Sequence, residues 1–77
     1  MKPIQCQMAR AALGWSSAEL GTRAGVGANT VNRFERGRDA RVSSVDKMRA
    51  VLEDAGVEFI PENGGGPGVR LRKPQQS

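Results

Sequence analysis

The stretch from Ser16 to Gly37, SSAELGTRAGVGANTVNRFERG, constrains this chain most, because it reads as two short helices joined by a Gly-containing turn. Ser16 is placed to cap the first helix through its hydroxyl, and Glu19, three residues on, is spaced to reach back to the Ser16 amide. Leu20 and Ala24 point inward at helical spacing. Gly25 can take the left-handed conformation at the helix end, and Val26 follows as an apolar plug in the turn.

The second helix is predicted over residues 28–36. At about 100° per residue, Val31 and Phe34 fall on one side, while Ala28, Asn29, Asn32, Arg33 and Arg36 fall on the other. That outward face is small, amide and guanidinium. It matches the donor and acceptor pattern of base edges in a DNA major groove, where Arg suits guanine and Asn suits adenine. A merely solvated polar face is the alternative; the short, capped helix and turn that precede it favour the first reading.

From these residues outward the chain resembles the lambda-repressor-like, or Xre-type, helix-turn-helix regulators. The resemblance covers residues 6–56 and is carried by Arg10, Leu13-Gly14-Trp15-Ser16, Ala18-Glu19-Leu20, Ala24-Gly25-Val26, Thr30-Val31 and Phe34-Glu35-Arg36-Gly37. It implies a structural ion pair between Arg10 and Glu35. It also implies base contacts from Ala28, Asn29, Thr30, Asn32 and Arg33, and phosphate contacts from Ser17, Arg36, Arg38 and Arg41. The chain departs from the family by carrying Ser17 and Ala28 where Gln is common. One phosphate-reaching side chain is thus shortened and one base-reading side chain lost, so base specificity rests mainly on Asn29 and Arg33.

Seventy-seven residues make one domain near the size where a single core is marginally stable, so help from a second subunit is expected. No apolar run approaches a membrane span and no signal-peptide pattern opens the chain, which points to a cytoplasmic, nucleoid-associated protein. One cysteine and no histidine leave no zinc site and no general base; no metal, cofactor or catalytic residue is expected. Cys6, at helical spacing to Ala9 and Leu13, reads as a small core residue. The net charge of +4 is uneven, with seven Lys or Arg against three acidic side chains in residues 1–41 and five of each sign afterwards. The basic excess therefore travels with the two-helix stretch, as expected of a nucleic-acid binder.

Pro3 opens helix 1, which runs to about Leu13 and ends at Gly14. Cys6, Ala9, Arg10 and Leu13 make one stripe, and Ile4, Met8, Ala11 and Ala12 make a second on nearly the opposite side, which something must cover. Trp15 is expected in the core. Arg36, Arg38 and Arg41 are spaced to straddle a phosphate backbone. Ser43 is expected to cap helix 4, placed over residues 44–55 with Val45, Met48, Val51 and Leu52 inward, as a structural closure without chemistry. Val57 to Ile60 and Val69 to Arg72 alternate around a Gly-rich turn and predict a β-hairpin. Two strands are barely stable alone, so Val57, Phe59, Val69 and Leu71 must lie on an apolar surface, either helix 1 or a second subunit.

The expected fold is therefore mainly α: a four-helix lambda-repressor-like helix-turn-helix domain over residues 1–56, a short β-hairpin and dimerisation element over 57–73, and a flexible tail over 74–77. The expected function is a homodimeric repressor reading a palindromic operator in double-stranded DNA through helix 3. The alternative is an antitoxin, or another interaction module of a toxin-antitoxin, restriction-modification or phage locus, with a protein partner encoded nearby and autoregulatory DNA binding.

Overall fold

In the computed structural model, which describes residues 1–72, the chain runs α1 (Pro3–Leu13), α2 (Ser17–Ala24), α3 (Ala28–Glu35), α4 (Val42–Asp54), β1 (Val57–Ile60) and β2 (Gly68–Leu71). The mainly helical fold with one terminal hairpin is the architecture the sequence predicts. Residue 73, counted with the hairpin, and the tail 74–77 lie outside the described residues.

Local chemistry sets most of the element ends. Pro3 occupies the first turn of α1, where its missing N–H leaves no intrahelical bond unmade. Ser16 Oγ accepts the Glu19 N–H at 3.0 Å, as expected of the cap. The return half of the capping box is replaced: the Glu19 carboxylate pairs with Arg23 one turn on, a charge–charge partner that competes with a backbone amide. The turn then closes through Gly25, at φ 73°, and the Val26 N–H on the Gly21 carbonyl at 2.9 Å. Gly21 itself permits this closeness, since a Cβ there would lie 2.7 Å from the Val26 oxygen.

Three helix boundaries differ from expectation. α3 ends at Glu35, with Arg36 as its C-cap. α4 starts at Val42, not Ser44, because the Arg41 carbonyl already accepts the Val45 N–H at 3.0 Å, and it ends at Asp54. Arg41 is the N-cap, and Ser43 falls inside the first turn and does not cap.

The core is shared by every helix and the first strand: Cys6 and Ala9 from α1, Leu20 and Ala24 from α2, Val31 from α3, Met48 and Leu52 from α4, and Val57 from β1. Leu20, Val31, Met48 and Leu52 are fully buried, each contributing about 1.5–3 kcal/mol of transfer free energy. Leu13, Trp15, Val26, Phe34 and Val51 pack around this centre. Val45, expected inward, is only half-buried. Val31 and Phe34 thus fasten the inner side of α3 and leave its opposite side outward.

The hairpin pairs Val57 with Leu71, Glu58 with Arg70, Phe59 with Val69 and Ile60 with Gly68. Phe59 and Val69 pack on the core, and a Glu58–Arg70 ion pair lies across the strands on the outer face. Gln5, 5 % exposed, fastens the hairpin to α1: its Nε2 donates to the carbonyls of Ile60 (3.1 Å) and Gly68 (2.9 Å), while its Oε1 accepts the Lys2 N–H at 2.8 Å. At the other end the Arg72 N–H donates to the Gly56 carbonyl at 2.7 Å and the Arg72 guanidinium to the Glu53 carbonyl at 2.6 Å. The second apolar stripe of α1 is only partly covered, with Ile4, Ala11 and Ala12 exposed and Met8 half-buried. No helix among the described residues is long and apolar enough to cross a membrane.

Candidate nucleic-acid interface

α3 is held from behind by α1. Arg10 Nε donates to Glu35 Oε2 and Arg10 Nη2 to Glu35 Oε1, both at 2.7 Å, in the two-pronged geometry peculiar to guanidinium and carboxylate. Arg10 Nη1 also donates to the Trp15 carbonyl at 3.0 Å, and Gln7 Nε2 to the Glu35 carbonyl at 3.0 Å. One α1 arginine therefore ties together the entry to α2 and the end of α3. The Trp15 ring packs on the core edge and carries the Arg23 guanidinium 4.5 Å from its centroid.

The charges of this junction reinforce one another. Burial pushes the Glu35 carboxyl upward, yet hydrogen bonds from Arg10 and Cys6, with the charge of Arg10, outweigh it and hold the group below its usual range. The Glu35 hydrogen bond likewise raises Arg10 against the opposing effect of burial. The Cys6 thiol, fully buried at the same place, is pushed far up by burial first and by Glu35 second. It is a neutral packing group.

On the outward side, α3 presents an arc in the angular order Ala28, Asn32, Arg36, Asn29, Arg33, spanning about 140° at 100° per residue. Asn29, Arg33 and Arg36 are exposed, and Ala28, Thr30 and Asn32 are half-buried. The arc has two unlike flanks. Toward α2, the Ser17 hydroxyl donates to Asn32 Oδ1 at 2.7 Å. Toward α4, Thr30 and Arg33 join Asp39, Arg41, Ser43, Ser44 and Lys47 around an open cleft of about 470 Å³ in which three cations outnumber one carboxylate.

The structure thus groups Ser17 with Asn32, and Thr30 and Arg33 with Arg41, and leaves Arg36 and Arg38 exposed at the helix end and in the loop. Among the described residues, Arg33, Arg36, Arg38 and Arg41 have no ion-pair partner within 4 Å, and their positive charge stays available to an external anion.

Ser43, Ser44 and Lys47 are additions: the N-terminal turns of α4, expected only to close the core, line the cleft. Lys47 lies three and four residues after the two serines, a helical spacing that places all three on one side. Gln7 was also missed, its amide reaching α3 from a neighbouring helix.

The residues named for dimerisation are divided. Val57, 1 % exposed, Phe59 and Val69 are used by the chain's own core, and Leu71, on the same face opposite Val57, is left 48 % exposed. The reason is the fold-back of the hairpin over α1 and α4, anchored by Gln5.

A family model described as a helix-turn-helix domain matches residues 7–55, from the first turns of α1 to the end of α4. No curated protein matches the chain.

Proposed function

We propose that this chain, which belongs to the helix-turn-helix domain family, is a sequence-specific regulator of the lambda-repressor-like type that reads double-stranded DNA with α3. The observation that carries this reading is the outward arc of α3, with Asn29 and Arg33 at its exposed side and a cleft bearing Arg33, Arg41 and Lys47 on its flank. Asn29 and Arg33 read base edges, with Ala28, Thr30 and Asn32 beside them. Ser17, Arg36, Arg38 and Arg41 fix the register on phosphates, joined by Lys47.

In this account the protein is a homodimer that blocks a promoter by steric exclusion. The hairpin, through exposed Leu71, and α1, through exposed Ile4, supply the dimer contact, with Val57, Phe59 and Val69 on the same hairpin face as Leu71 holding the strands. Two recognition helices then lie about 34 Å apart and demand a near-palindromic operator.

The same exposed apolar groups favour, as a second reading, a protein partner encoded nearby, such as a toxin. Co-purification from the native host separates the two.

The first test is binding to a mixed-sequence duplex at several salt concentrations. Four phosphate-directed cations per protomer, Arg36, Arg38, Arg41 and Lys47, should give a logarithmic slope of about −3.6 for each protomer. Binding that ignores salt contradicts the proposal.

A further inference from the structure

Asn32, half-buried where Asn29 is exposed, also differs in that its amide oxygen is held toward α2 by a hydrogen bond. The Ser17 hydroxyl, 15 residues away on α2, donates to Asn32 Oδ1 at 2.7 Å. A free asparagine amide presents an acceptor oxygen beside a donor NH2, the combination that matches adenine, whose major-groove edge offers the N6 donor beside the N7 acceptor. Asn32 cannot present both to one base, because the bond to Ser17 turns the oxygen back toward α2. What remains for DNA is the Nδ2 group with its two N–H donors. Two donors match an edge carrying two neighbouring acceptors, and guanine, with N7 and O6, is the base that has them.

We propose, on the DNA-reading function above, that Ser17 sets the hydrogen-bonding polarity of Asn32, making it a donor-only group that selects guanine and disfavours adenine at one position of the half-site. Ser17 acts here as a positioning residue. Its hydroxyl proton is spent on Asn32, so its contribution to a phosphate contact falls to its backbone N–H, in the first turn of α2. The consequence is a specificity switch built from two residues on different helices. With the hydroxyl present the amide is fixed; without it the amide is free to rotate and offer its oxygen.

The test is selection from a random duplex library with the full chain, run in parallel for wild type, Ser17→Ala, Ser17→Thr and Asn32→Ala. The expected result is a guanine in the wild-type site, preferred over adenine by roughly tenfold, that disappears in Asn32→Ala. Ser17→Ala should move the preference at that position toward adenine, and Ser17→Thr, which keeps a hydroxyl, should retain guanine. A purely structural role for Ser17 would lower affinity for all sequences without changing that base.

Wild type selecting adenine at an Asn32-dependent position overturns the proposal, as does an Asn32-dependent preference that Ser17→Ala leaves unchanged. Either result leaves DNA reading by α3 intact. Selection of no sequence at all by the wild type overturns the DNA-reading function, and this proposal with it. If Ser17→Ala does not fold, the comparison of wild type with Asn32→Ala still decides, because guanine lost with Asn32 supports the proposal and adenine lost with it does not.

Discussion

Arg10 on α1 and Glu35 near the end of α3 are joined by two hydrogen bonds of 2.7 Å, with the Glu35 side chain only 7 % exposed. The pair couples stability to the placement of the arc that faces outward. Truncating one partner leaves the other charge in poor solvent, so Arg10→Met should destabilise the fold by about 3 kcal/mol in urea unfolding. A loss below about 0.5 kcal/mol would mean that the junction behaves as a surface pair.

Acid should erase the contribution of Glu35. Its carboxyl titrates below its ordinary range in the folded state, so on acidification the unfolded chain takes up the proton first. The stabilisation is complete above the unfolded value of about 4.3 and is lost as pH falls through the lower folded value. The stability gap between wild type and Glu35→Gln should accordingly be present at pH 7 and shrink below about pH 4. A gap that stays constant down to pH 2 contradicts this.

Cys6 should be silent in the native protein. Burial and Glu35 both favour the neutral thiol, and the thiolate is the reactive form. A disulfide reagent is expected to label it only at the rate of global opening, rising steeply across the unfolding transition. Rapid labelling under native conditions would show that the α1–α3 contact opens locally.

Gln5 should matter more than a surface glutamine. It joins Lys2, Ile60 and Gly68, so Gln5→Leu strips the hairpin carbonyls of a buried donor and should cost about 1–3 kcal/mol. Hydrogen exchange should show β1 and β2 losing protection before the helices. Uniform protection in the variant would assign the hairpin's stability to Val57 and Phe59 alone.

The helices, the capped turn and the strand pairing were legible in the sequence because each is written locally: Ser16 and Gly25 at helix ends, Val31 and Phe34 one turn apart, Val57 to Ile60 in alternation. The contacts that were not legible all join distant segments through polar side chains. Gln5 sits beside the apolar stripe of α1 and looks like surface until strands some 55 and 63 residues later fold over it. Ser17 and Asn32 each belong to an outward face, and nothing in their spacing shows that the faces meet. Ser43 has the composition of a cap, but the backbone enters α4 two residues earlier at Arg41. Lys47 is a plain helix-surface cation until the α3–α4 loop brings it beside Arg33 and Arg41.

Base reading and backbone contact should separate by mutation. Arg33→Ala is expected to cost about 1–3 kcal/mol on the best operator and to flatten preference at one base pair. Arg38→Ala should weaken all sequences alike and reduce the salt slope by about one. Equal, sequence-independent losses in both variants would remove Arg33 from the base-reading set.

The most direct measurement is the wild-type selection itself: the purified 77-residue chain, a random duplex library and near-physiological salt. The expected result is enrichment of a two-fold symmetric site whose half-sites lie about one helical turn, roughly 34 Å, apart. Salt-sensitive bulk binding without an enriched sequence would contradict a dimeric reader.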